Sequence, residues 1–221
     1  MIATIQYNSR KLQIDLSKPL DISMPIISSK KNVNAWYIDE PKIEPIKDAE
    51  WIASVSEGAS VNFNNIYFNP HAHGTHTECA GHITEKVYSI NQNLKTFFFL
   101  AEVITVAPEN DNEDKIISKK QLQFAIGNKK RDAIILRTIP NTREKLSRQY
   151  SHTNWPYLKE DAVKFMVSKG VKHLLIDLPS IDKEKDGGEL LGHNAFWNTK
   201  GKLRLDATIT ELIYVSNKIE D

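Results

Sequence analysis

The chain has 221 residues, enough to bury a sizeable core as one large domain or two small ones, and 40% hydrophobic with 26% charged residues is the balance of a soluble globular protein. A net charge of +1 gives no electrostatic footprint for nucleic acid, and no apolar run approaches the roughly 20 residues of a membrane helix, so neither is expected as a partner. A single cysteine excludes an internal disulfide framework and fits a reducing compartment. The opening stretch has no apolar core or small-residue cleavage site of the secretory kind, so a cytoplasmic location is expected.

In chain order, a first strand is predicted over 11–17, followed by an irregular arm at about 24–58 that carries Trp36 and Trp51. Further strands are predicted over 60–68, 96–107, 132–138, 171–177 and 210–215; the last four have near-continuous apolar stretches, the pattern of strands covered on both faces. Ser118 with Gln121 forms a capping box ahead of Leu122, Ala125 and Ile126, and Gly127 stands at the C-terminal cap. A second helix is expected from about Leu158, with Leu158, Ala162, Phe165 and Met166 on one stripe and Gly170 closing it. No repeat, low-complexity segment or linker divides the chain. The expected fold is therefore one mixed α/β domain.

Four of the seven histidines fall in "HAHGTHTECAGH", residues 71–82, together with Glu78 and the only cysteine, Cys79. Nucleophile elbows, phosphate loops and dinucleotide fingerprints are absent. Cys79 could serve as a nucleophile beside His76 or His82, but a lone cysteine is more often a small buried hydrophobe, and Glu78 works against a thiolate. Histidine and carboxylate are the ligands of zinc and its divalent relatives, and His76 and Glu78 would point to one side of an extended segment. On pattern alone, a metal site and a histidine-rich polar loop both remain open.

"HGTHTECAGH" resembles the signature H-x-G-T-H-x-D-x-P-x-H of the cyclase family of metal-dependent hydrolases, whose best-known members are bacterial kynurenine formamidases. "IDLSKPLDISMP" (14–25), "AIILRT" (133–138) and "LKEDAVKFMVSKGVKHLLIDLPSID" (158–182) are similar to further segments of that family, in the same order. The resemblance implies a swivelling β/β/α fold with a mixed central sheet, assembled as a homodimer or higher oligomer. It implies one or two divalent ions, zinc or manganese, and hydrolysis of a small-molecule amide, either linear as in N-formylkynurenine or cyclic. His76, Glu78, His193 and Glu211 would be metal ligands, and His82 the proton-transfer histidine. Asp177 and Ser180 would shape a turn near the site, and Trp36 is the expected substrate-binding aromatic. A non-catalytic metal- or ligand-binding protein on the same fold is the rival reading.

The chain departs from the signature in three places. Glu78 and Ala80 replace the aspartate and proline, and the first histidine aligns to Ala72, flanked by His71 and His73. On a smooth strand both flanking imidazoles would point away from His76. A one-residue bulge between Pro70 and Gly74 would bring in His71; a turn over 73–76 would bring in His73 instead. The bulge, and so His71, is the expectation.

Overall fold

The computed structural model describes residues 1–221. β1 (Ile2–Tyr7) and β2 (Arg10–Asp15) form an antiparallel hairpin, and β3 (Lys42–Pro45) pairs antiparallel with β4 (Asn64–Tyr67). The chain then forms α1 (Pro70–His73), β5 (His76–Glu78) and α2 (Ile90–Asn93). Next come β6 (Ala101–Val106), β7 (Glu109–Asp111), β8 (Asp114–Ile117), α3 (Lys119–Ile126) and β9 (Ala133–Thr138). Last are β10 (Tyr157–Leu158), α4 (Glu160–Ser168), β11 (His173–Ile176), α5 (Leu191–Trp197) and β12 (Thr208–Glu211).

Five strands make a mixed central sheet in the order β5–β12–β11–β9–β6. The four later in the chain run parallel, each beside its predecessor, and helices make the crossovers between them. β5 joins the far edge antiparallel to β12, which lays residues 76–78 against residues 209–211. Alternate strand residues, Ile104, Val106, Ile134, Leu136, Leu174, Ile176 and Ile209, share the main core with Leu122 of α3, Met166 of α4 and Trp197 of α5. The capping box forms as read. Ser118 Oγ accepts from Gln121 N–H at 3.3 Å, and Gln121 Oε1 accepts from Ser118 N–H at 3.0 Å.

The arm at 24–58 is irregular over most of its length but tied down. Met24, Val33 and Ala35 are buried with Tyr150, Trp155 and Leu212 in a second, smaller cluster. The expected strands come out shorter, 96–107 and 210–215 for reasons visible in the structure. Of 96–107 only Ala101–Val106 finds a partner, β9, and the preceding Phe97 and Phe98 lie exposed. The last strand ends at Glu211 because Leu212 takes a left-handed φ of 51°, although Ile213 N–H still reaches the Ile176 carbonyl. The helix expected from Leu158 begins at Glu160, since Leu158 pairs with Ile117 in β10.

Candidate metal centre

The approach to β5 is a single helical turn, not the expected bulge. Pro70 occupies its first position, where its missing N–H costs nothing, and Asn69 caps it by accepting from His71 N–H at 2.9 Å. At 3.6 residues per turn, positions two apart are rotated by roughly 200°, so His71 and His73 leave α1 on opposite sides. His73 is buried away from the cluster. Its Nδ1 accepts from Asn69 N–H at 2.9 Å and its Nε2 donates to the Asp39 carbonyl at 2.8 Å, which occupies both ring nitrogens. The His71 ring instead stacks on His82, with centroids 4.3 Å apart, and places Nδ1 3.4 Å from Glu78 Oε2.

Past Gly74 the backbone is extended, and Thr75 stitches it down by accepting from Met24 N–H at 2.9 Å and donating to the Leu212 carbonyl. β5 then presents His76 and Glu78 on its buried face, directly across from Glu211 and Ile209. His76 Nδ1 donates to the Gly74 carbonyl at 3.1 Å, which leaves Nε2 as a lone pair 3.5 Å from Glu211 Oε2. The turn over 80–82 then brings His82 Nε2 to 3.3 Å from Glu78 Oε2. That turn depends on Gly81, where a Cβ would stand 2.2 Å from the Tyr88 carbonyl oxygen.

The far side of the cluster comes from α5 and β12. His193 Nε2 lies 2.9 Å from Glu78 Oε1 and 3.7 Å from Glu211 Oε1. Its other nitrogen, Nδ1, meets Asp182 Oδ2 at 2.6 Å. Glu211 Oε1 accepts from Ile181 N–H at 2.9 Å. Donor atoms of His71, His76 and Glu78 lie within 4.8 Å of one another, as do those of Glu78, His82 and His193, so Glu78 belongs to both groups.

The electrostatics of the cluster favour a cation. Burial alone would raise Glu78, but the hydrogen bond from His193 and the nearby His71 and His82 imidazoles outweigh it and hold the carboxyl at about 2. Glu211, buried beside that ionised neighbour, is pushed above the usual carboxylate range. For His193, burial is outweighed by hydrogen bonds to Asp182 and Glu78, which raise it to about 10, so a proton sits where positive charge is needed. Two buried atoms still lack any hydrogen-bond partner, His76 Nε2 and Glu78 Oε2. Unpaired buried polar atoms are rare and costly, and an imidazole lone pair facing a carboxylate oxygen suits a divalent ion. The residues present fit such an ion.

The structure thus brings together His71, His76, Glu78, His82, His193 and Glu211. Trp36 is not among them: it packs edge-on against Trp155, centroids 5.0 Å apart, beside the smaller cluster. Cys79 is buried with its thiol against the Tyr88 carbonyl, 3.2 Å away, as a small structural residue would be. His173 bonds Thr208 and stacks on Phe99. Asp177 turns inward to Lys145 rather than to the cluster. Asp182 and the Ile181 amide were not singled out from the sequence. Both lie in the "DLPSID" turn, residues 177–182, that also holds Asp177 and Ser180.

The cyclase family model matches residues 14–183. No curated protein matches the sequence. Among solved structures, the "predicted metal-dependent hydrolase" of Bacillus stearothermophilus is similar with a TM-score of 0.60 at 15% identity, covering 91% of this chain and 85% of that one. An isatin hydrolase bound to the product analogue thioisatinate is similar with a TM-score of 0.61 at 14% identity, covering 91% and 81%. Isatin hydrolase A of Labrenzia aggregata gives 0.58 at 12% identity, covering 91% and 82%.

Proposed function

This chain belongs to the cyclase family, and on that premise we propose that it is a divalent-metal-dependent hydrolase of a small amide, linear or cyclic. One observation carries the reading: the unpartnered His76 Nε2 and Glu78 Oε2, buried amid His71, His82, His193 and Glu211. His71, His76 and Glu78 would hold one ion, zinc or manganese; Glu78, His193 and Glu211 would hold a second. A divalent ion so held lowers the pKa of a bound water and polarises an amide carbonyl.

The chain's own residues supply the rest. His71 and His82 are the exposed members, each with 37% of its side chain accessible, so substrate enters over their stacked rings. Burial is the largest influence holding the His82 imidazole below its usual value, so at neutral pH it is free to take up a proton and pass it to a leaving nitrogen. Glu78 lies within 3.3 Å of that ring and favours its charged form as the proton arrives. Isatin is itself a cyclic amide, which makes lactams the first substrates to assay beside aryl formamides. Elemental analysis followed by a panel of formamides, lactams and lactones, with and without chelator, tests the reading. Turnover that chelator abolishes and one divalent ion restores supports it. Bound metal without turnover supports the non-catalytic rival.

We also infer a homodimer or larger assembly. Ile27 and Trp51 of the arm, with Phe97 and Phe98, are large apolar side chains left exposed, the kind of surface an interface covers. Light scattering at micromolar concentration that returns a monomer refutes this.

A further inference from the structure

The near half of the cluster explains its own geometry, since His76 and Glu78 ride on a paired strand. The far half needs more than pairing, although Glu211 stands across from His76. Glu211 is the last residue of β12, and His193 sits in the first turn of α5, a helix whose N-cap residue, Leu190, is left-handed and makes no side-chain cap. What fixes these two groups lies between them in neither element, at Ile181 and Asp182.

Asp182 is buried and uses both carboxylate oxygens on α5. Oδ1 accepts from Gly192 N–H at 2.6 Å; Oδ2 accepts from His193 N–H at 3.1 Å and meets His193 Nδ1 at 2.6 Å. It therefore anchors the start of the helix and the orientation of its imidazole at once. Its own backbone is held from two sides: its carbonyl accepts from Trp155 Nε1–H at 3.1 Å, and its N–H donates to Ser180 Oγ at 3.1 Å. One residue earlier, the Ile181 N–H fixes Glu211 Oε1 at 2.9 Å. Contact with Gly192 is close enough that a Cβ there would stand 2.7 Å from Asp182 Oδ1.

We propose that Asp182, with the Ile181 amide beside it, is a positioning residue that presents His193 Nε2 and Glu211 to a metal ion; the inference rests on the metal reading above. A carboxylate accepting from Nδ1–H leaves the lone pair on Nε2, the nitrogen that faces Glu78 and Glu211. Asparagine cannot reproduce this. If its NH2 faces His193, Nδ1 must become the acceptor and the ring proton moves to Nε2. If it faces Gly192, two N–H groups meet head to head.

The test compares wild type, Asp182→Asn and Gly192→Ala. Gly192→Ala keeps every charge while its new methyl displaces the carboxylate, and it serves should Asp182→Asn fail to fold. Zinc affinity is read by competition with a chromophoric chelator. Separately, the protein loaded with 113Cd and labelled with 15N-histidine shows which ring nitrogen binds. Wild type should bind cadmium through His193 Nε2. Asp182→Asn should lose roughly 10- to 100-fold in zinc affinity, with the His193 coupling weakened or gone and those of His71 and His76 kept. Gly192→Ala should shift both readouts in the same direction by less. A variant that binds zinc within about twofold of wild type, with His193 still bound through Nε2, overturns the positioning role alone. Wild type that takes up no zinc overturns the metal reading and this inference with it.

Discussion

Lysine 145 offers the sharpest quantitative test of the scaffold beneath the site. It is almost wholly buried, and its ammonium donates to the Thr138 carbonyl at 2.6 Å, to Thr138 Oγ1 at 2.9 Å and to Asp177 Oδ2 at 2.7 Å. Asp177 is fully buried; burial raises its carboxyl, and Lys145 is the charge that opposes this. The pair pins the C-terminal ends of β9 and β11 and starts the turn that ends at Asp182. Lys145→Met fills the same space but leaves Asp177 with only the Thr138 N–H and hydroxyl. Stranding one member of a buried ion pair costs about 3–5 kcal/mol. At about 2–4 °C per kcal/mol for a chain of this size, the melting temperature should fall by roughly 6–20 °C. Urea unfolding at pH 7 in chelator measures the change without metal linkage. The double variant Lys145→Met with Asp177→Asn, which has no buried charge yet keeps an acceptor for Thr138, should recover a large part of the loss. The deficit of the single variant should also shrink as the pH is lowered, because burial raises the Asp177 carboxyl and favours its protonation. A loss under about 1 kcal/mol for the single variant, or a double variant no more stable than it, refutes the argument.

His71→Ala should strip metal or activity, whereas His73→Ala should keep both and lose about 1–3 kcal/mol of stability from the buried partners it leaves unpaired, read by elemental analysis and urea unfolding. His82→Ala should lower turnover by about 10²–10⁴-fold while metal content stays near wild type; loss of metal would make it a ligand instead. In the metal-free protein His193 is raised from 6.5 to about 10, so its stabilisation is complete below pH 6.5 and is lost as pH climbs toward 10. Glu78, lowered from 4.5 to about 2, contributes fully above pH 4.5 and loses that contribution as pH falls toward 2, so chelated protein should be most stable near pH 4.5–6.5, as unfolding midpoints across pH will show. Zinc affinity should rise over the upper window, because His193 must shed its proton to bind, and calorimetry in two buffers should register the release.

Much of this was legible in residues 71–82 and in the regular elements. The Ser118 capping box and the apolar stretch of 133–138 act through local rules, and both gave elements nearly in place. The histidine cluster was visible as composition, and the family resemblance reached His193 and Glu211 across the chain. The replacement for Ala72 was a matter of backbone geometry. The sequence offered Pro70 and Gly74 as marks of a bend, and a helical turn satisfies Pro70 better than a bulge because it needs no N–H there. Phe97 and Phe98 misled because apolar residues predict a strand only where a neighbour can pair with them. Trp36 meets Trp155, a contact that nothing local in the sequence marks. Asp182 could not be weighed before its partner was known, since a carboxylate acts on an imidazole by contact and not by spacing.

The pairing of β5 with β12 also sets when the centre can exist during synthesis. Glu78 and His193 are separated by 115 residues, and Thr75 and Leu212 by 137. Closing loops of that length is an entropic expense that early contacts cannot offset, so such pairings belong to the late stages of folding. A ribosome-bound chain that has just released α1 and β5 therefore displays an open histidine strip, able to touch an ion but not to enclose one. Only when β12 emerges and slots between β5 and β11 do the two halves meet, so a strand made long after β5 is the one that shuts the site.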